Sequence, residues 1–220
     1  MDIADRLIEI QSKLPDHVDL VAVSKTKPDE QLLEAYEAGQ RVFGENKVQE
    51  LVGKQERLPQ DIDWHMIGHL QRNKVKYIAP FVGLIHAVDS ERLLKEIDKQ
   101  ALKAERQVPV LLQVHIAKED TKFGWDPAEL RHGFQDLLSS YPNVRFDGLM
   151  GMATHTTVDA QVHHEFSGLK ALKDELQVHA LDAGHPWHTL SMGMTGDYKI
   201  AIECGSTMVR IGSAIFGARN

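Results

Sequence analysis

Eight short apolar runs, each followed by a stretch with helical spacing, recur along the 220 residues and leave little room for anything else. They fall at 20–23, 41–44, 63–68, 83–88, 108–116, 146–152, 188–192 and 208–211. A run such as Leu20-Val21-Ala22-Val23, with no polar alternation, suits a strand covered on both faces, as in a parallel sheet. The segments between carry helical stripes, for example Leu93, Leu94, Ile97 and Ala101, or Val162, Phe166, Leu169, Leu172 and Leu176. Ile3, Leu7, Ile10 and Leu14 predict a leading helix over 3–14. Strand–helix alternation demands a parallel sheet, and eight units in this length predict one closed (β/α)8 TIM barrel. No linker or shift in composition marks a boundary, so 1–220 reads as a single domain. An open doubly wound sheet is the competitor, but it would bring a glycine-rich first turn, and the turn here carries Lys25 instead.

Local signals place the helix ends. Pro28, with Asp29 and Glu30 behind it, reads as a first helical residue, and Gly39 as a left-handed cap. Asn46, Ser90, Asp126 and Thr195 are candidate N-caps. Asp126-Pro127-Ala128-Glu129 combines a cap, a proline at the first position and an acid in capping-box spacing.

Charge and composition narrow the partners. A net charge of -7 argues against a nucleic-acid or anionic-membrane surface. One cysteine, Cys204, forms no internal disulfide. The N-terminus is acidic and amphipathic rather than basic then apolar, and no apolar run approaches the roughly 20 residues of a membrane span. A soluble, cytoplasmic protein is expected.

The ligand end of such a barrel is the set of loops after the strands. Lys25 follows the first strand there, where partial desolvation lowers an ammonium's pKa and suits it to attack a carbonyl; the plainer reading is a rim lysine reaching water. After strand 7 comes Ser191-Met192-Gly193-Met194-Thr195-Gly196, and after strand 8 Gly212-Ser213 opens a short helix. Glycines that admit close backbone approach, hydroxyl donors and a helix N-terminus together suit a phosphate. Arg210 lies within the last apolar strand, facing either a ring nitrogen or anion at the mouth or a structural ion pair. Twelve histidines show no metal-ligand spacing, so no metal site is assigned. His69 and His115, near strand ends, are candidate mouth residues. Ser191 lacks a nucleophile elbow, which leaves a serine hydrolase unsupported.

Six segments then form a pattern: Ala22-Val23-Ser24-Lys25-Thr26-Lys27, 43–50 (Phe43-Gly44-Glu45-Asn46 onward), 64–74 (Trp64-His65-Met66-Ile67-Gly68-His69 onward), Leu149-Met150-Gly151-Met152, Leu190-Ser191-Met192-Gly193-Met194-Thr195 and Val209-Arg210-Ile211-Gly212. Together they resemble the pyridoxal phosphate homeostasis protein family, also called the proline synthase co-transcribed family. The resemblance covers nearly the whole chain. It implies the barrel of the alanine racemase N-terminal domain and pyridoxal 5'-phosphate held as a Schiff base on Lys25. It further implies phosphate contacts from Ser191, Gly193, Gly212 and Ser213, and Arg210 opposite the pyridine nitrogen. Asn46 and His69 match pocket positions, and Lys27 and Lys122 match lysines associated with cofactor exchange. Thr195 stands where many members have serine, and Trp125 is unusual in its loop.

An arginine at the ring nitrogen keeps that nitrogen unprotonated and weakens the ring as an electron sink. Racemization needs a second acid/base, which resembling racemases supply from a C-terminal domain across a dimer; this chain reaches Asn220 just after strand 8. The expectation is therefore a monomeric carrier rather than an enzyme, one that buffers pyridoxal 5'-phosphate and passes it to apo-enzymes in vitamin B6 homeostasis. A pyridoxal-phosphate-dependent amino-acid racemase is the alternative, and a cofactor-free Schiff-base aldolase a third reading.

Overall fold

Strands that are apolar on both faces need cover on both, and here the sheet obtains it by closing on itself. The structure is a computed structural model describing residues 2–119 and 123–217. Its strands are β1 (Asp19–Val23), β2 (Val42–Glu45), β3 (Asp63–Met66), β4 (Leu84–Val88), β5 (Val108–Gln113), β6 (Val144–Met150), β7 (Thr189–Met194) and β8 (Met208–Ile211). They form a closed barrel in sequence order, every neighbouring pair parallel, with β8 returning to β1 through Asp19↔Met208 to Ala22↔Ile211. The open sheet is excluded.

The helices are α1 (Ile3–Gln11), α2 (Asp29–Glu37), α3 (Val48–Arg57), α4 (Val75–Ile78, preceded by a 3-10 turn at Arg72–Lys74), α5 (Glu91–Lys103), α6 (Pro127–Ser140), α7 (Asp159–Asp182), α8 (Tyr198–Glu203) and α9 (Ser213–Phe216). Their stripes pack on the outer face of the sheet; Leu93, Leu94, Ile97 and Ala101 of α5 are all buried there. Strand alternation divides the core in two. Ala22 and Phe43 face the helices, whereas Val21, Leu84, Leu111, Met150 and Met208 meet inside the ring. Among the described residues no helix is long and apolar enough to cross a membrane.

Several helix ends differ from the local signals. Pro28 is the N-cap of α2 rather than its first residue, with extended backbone at ψ 158°; its ring fixes φ but leaves ψ free to stay outside the helix. Asn46 and Thr195 do not cap. Lys47 and Asp197 hold those positions, and the Asp197 carboxylate instead accepts the Met194 amide at 2.6 Å. Ser90 is at the N-cap of α5, but its hydroxyl donates to Asp89 Oδ1 at 3.1 Å. Gly39 is left-handed, at φ 101°, as expected. Asp126 caps α6 through the amides of Ala128 and Glu129, with Pro127 at the first position. β5 stops at Gln113 instead of running to 116, because Trp125 returns there: its amide donates to Gln113 O and its carbonyl accepts the His115 amide. The Trp125 indole donates to Val88 O at 3.0 Å, tying this loop to the end of β4.

Candidate functional site

The β1–α2 turn aims Lys25. By strand alternation Val21 and Val23 face inward, Ser24 outward, and Lys25 again toward the mouth. Thr26 follows in a left-handed conformation, φ 63°, unusual for a β-branched residue. What holds it is a network on the helix side of the sheet whose inner members, Ser24, Glu45 and Lys54, are buried. The Thr26 amide donates to Glu50 Oε1 at 2.6 Å. The Lys54 ammonium, on α3, donates to Glu50 Oε1 at 2.8 Å, to Glu45 Oε1 at 2.8 Å and to the Ser24 carbonyl at 2.9 Å. The Ser24 hydroxyl completes the set on Glu45 Oε1 at 2.6 Å. Burial pushes the Glu45 carboxyl above its usual range even though Lys54 and Ser24 pull it down. Sequence reasoning missed Glu45 and Lys54, although a signal existed: Lys54 lies on the same helical stripe as Val48 and Leu51.

Lys25, Asn46, Arg210, Gly212 and Ser213 line one cleft of about 400 Å³ at the C-terminal ends of the strands. Thr195, Gly196 and Asp197 from the β7 loop, Lys27, Met152 and His155 complete much of its wall. The two glycine-bearing loops meet, the Ser213 hydroxyl donating to Thr195 Oγ1 at 3.3 Å. A Cβ on Gly212 would sit 3.1 Å from the Val23 carbonyl, so the β8 loop presses close on β1. The Lys27 ammonium reaches the Phe216 and Gly217 carbonyls at 3.0 and 3.4 Å, closing that edge.

Arg210 is buried, and burial pushes its guanidinium down to about 10, still cationic at neutral pH. It has no carboxylate hydrogen-bond partner among the described residues. It donates to Ser191 Oγ at 2.5 Å and to the Gly151 carbonyl at 3.1 Å, so the ion-pair reading does not hold.

Three expected site residues lie elsewhere. Ser191 is fully buried inside the ring, beneath the cleft, on Arg210 and His86. Gly193 is left-handed, φ 95°, and a Cβ there would strike Ala201 Cβ at 2.6 Å, so it makes room for α8. His69 points away, pairing Nδ1 with Asp89 Oδ2 at 3.0 Å and stacking on Phe123 with ring centroids 4.4 Å apart. It opens onto a separate groove between the β3 and β4 loops. His115 binds the Glu119 carbonyl at 3.0 Å and is likewise outside the cleft. Lys122 lies outside the described residues. Among the described residues no group of three or more His, Cys, Asp or Glu is arranged to hold a metal.

A family model for the alanine racemase N-terminal domain matches residues 2–220. The pyridoxal phosphate homeostasis protein of Vibrio alginolyticus is 42% identical over 213 residues, covering 94% of this chain and 89% of that one. The chain belongs to the pyridoxal phosphate homeostasis protein family. A solved structure similar to it is PipY of Synechococcus elongatus with pyridoxal phosphate bound, at 39% identity and TM-score 0.90 over 98% of this chain and all of that one. Alanine racemase from E. faecalis is similar in fold alone, at 15% identity and TM-score 0.75, with this chain covering 58% of its length. The segments that carry the family resemblance meet in the fold: Lys25, Asn46, Arg210 and Gly212, from three of them, line one cleft.

Proposed function

We propose that the protein holds pyridoxal 5'-phosphate at Lys25 and buffers or delivers it, as a cofactor carrier in vitamin B6 homeostasis. The observation that carries this reading is the convergence of Lys25, Arg210 and the β7 and β8 loops on one cleft. The donor set fits the group: a primary amine for its aldehyde, Thr195 and Ser213 hydroxyls with the α9 N-terminus for its phosphate, and a guanidinium for its ring nitrogen. Asn46, after β2, lines the same cleft, and Gly212 lets β8 come near enough to complete the phosphate side. Pyridoxal 5'-phosphate supplies an aldehyde that condenses with primary amines. Lys25 supplies the amine, held at its mouth position by Glu50 and Lys54 through the backbone on either side of it. Arg210 keeps a proton on its side of the contact, since a guanidinium does not give one up near neutral pH.

We take the role to be non-enzymatic, with apo-enzymes as recipients, and the chain to act as a cytoplasmic monomer of one barrel domain over 1–220. The family name borne by its relatives fits such a role. An amino-acid racemase is the alternative, supported by fold likeness to racemases. The decisive experiment is the absorption spectrum of protein mixed with pyridoxal 5'-phosphate, before and after borohydride, with mapping of the modified lysine. Modification at Lys25, and its loss in Lys25→Ala with the fold retained, supports the reading; unchanged covalent binding in that variant overturns it. Proton–deuteron exchange at the α-carbon of a panel of amino acids separates carrier from racemase, and sedimentation tests the monomer.

A further inference from the structure

The interior of a (β/α)8 barrel is ordinarily filled by layers of branched apolar side chains. Here part of that interior is polar, and its polar groups are joined end to end. Arg210 Nη1 donates to Ser191 Oγ at 2.5 Å, Ser191 Oγ lies 3.0 Å from His86 Nδ1, His86 Nε2 lies 3.0 Å from His65 Nδ1, and His65 Nε2 lies 3.4 Å from Asp63 Oδ2. The residues come from β8, β7, β4 and β3, so the line crosses the inside of the ring. It runs from the cleft, which Arg210 lines, to the first residue of β3 at the opposite end of the barrel.

With both imidazoles neutral, each carrying one proton, the carboxylate end fixes the direction of every link. A guanidinium offers only donors and a carboxylate only acceptors. Ser191 accepts from Arg210, and in the neutral chain its own proton goes to His86 Nδ1. His86 therefore carries its proton on Nε2 and donates to His65 Nδ1, and His65 carries its own on Nε2 and donates to Asp63. Neutral imidazoles are required throughout. Burial, with His65 and Arg210 adding to it, holds His86 well below the usual histidine range. The hydrogen bond from His65 holds the Asp63 carboxyl below the usual carboxylate range, so the terminal acceptor is ionised. The β4 side makes room for it: a Cβ on Gly83 would fall 1.6 Å from Asp63 Oδ1.

We infer that Asp63, His65, His86 and Ser191 form a one-way hydrogen-bond chain that orients the Arg210 guanidinium, and through it tunes the ring bound in the cleft. Ser191, His86, His65 and Asp63 are then positioning residues that never touch the ligand. The effect on a bound ring rests on the proposed function; the direction of the chain does not.

The test has two arms. The first is nitrogen NMR of the full chain with 15N-labelled histidine and no cofactor added, at neutral pH. Both His65 and His86 are expected neutral, with the proton on Nε2 and Nδ1 bare; a His86 protonated on Nδ1, or charged, overturns the chain whether or not pyridoxal 5'-phosphate ever binds. The second arm uses Asp63→Asn, remote from the cleft, and Ser191→Ala, a deletion of one oxygen. An asparagine can donate as well as accept, so it releases the polarity, and it is expected to shift the His65 and His86 signals. In both variants the absorption band of added pyridoxal 5'-phosphate moves and its affinity falls roughly three- to tenfold, the worth of one hydrogen bond. Histidine signals and absorption band both unmoved in Asp63→Asn, with circular dichroism intact, overturn the inference. Shifted histidine signals with an unmoved band overturn the tuning of the ring. Failure of the Lys25→Ala experiment would remove the ligand and leave the first arm standing.

Discussion

Lys54→Met isolates what the buried network behind Lys25 contributes. Lys54 is 3% exposed and bridges Glu45, 0% exposed, to Glu50, each at 2.8 Å. Truncating one partner of a buried pair leaves the other charge uncompensated, at a cost of about 3–5 kcal/mol. For a chain of this size that lowers Tm by roughly 6–20 °C. The penalty depends on pH with a definite sign. The folded pKa of Glu45 is already raised above its unfolded value, and removing Lys54 removes the cation that opposes the rise. A group with a raised folded pKa binds protons more tightly when folded, so its stabilising contribution is present in acid and lost as pH rises through that folded pKa. The cost of Lys54→Met, measured as urea unfolding against wild type, is therefore expected to be smaller at about pH 5 than at about pH 8. Glu45→Gln in the Lys54→Met background should recover part of it by removing the stranded carboxylate. A loss under about 1 kcal/mol that is flat with pH would refute the reasoning. So would a double variant less stable than Lys54→Met alone.

Other expectations follow from particular contacts. Asp63 has a depressed folded pKa, so its contribution is present above the unfolded value and lost as pH falls through the folded one; Asp63→Asn should flatten the acid limb of the stability curve below about pH 4, read by circular dichroism. Gly193→Ala adds a Cβ 2.6 Å from Ala201 Cβ at a left-handed residue and should cost about 1–3 kcal/mol in urea unfolding. Phe134→Ala removes a ring tilted on Trp187 at 4.8 Å and should cost about 3–5 kcal/mol, with a change in tryptophan emission.

The barrel was legible because each strand is apolar on both faces and each helix carries one stripe, patterns that survive in a single sequence. Lys25, Arg210 and Ser213 were legible as chemistry at strand ends. Other details were not, and the reasons are physical. Asn46 and Thr195 have good capping side chains, but tertiary contacts decided those helix starts, with Lys47 and Asp197 in the cap positions. Gly193 shares its conformational freedom with any phosphate-loop glycine, and only the helix packed over it reveals its use. Ser191 could not be assigned because its partner, His86, is 105 residues away. His65 and His86 sit in runs that read simply as buried strands, and nothing local distinguishes a buried imidazole that is linked to another. Trp187, beside Pro186 and among histidines, carries no local sign of its role; its indole is buried and donates to the Lys173 carbonyl at 2.9 Å.

The grip on Thr26 and Ser24 comes from α3, on the outer wall of the ring, whereas the cleft opens on the inner one. Aim and reception are thus built from separate parts. If Lys25 is the amine proposed above, the lining of the cleft is free to be recut for a different aldehyde without loosening it, and a single change among the outer helices can misdirect it while every lining residue stays in place. A search for the determinants of reactivity confined to what borders the ligand would pass over the side chains that hold it steady.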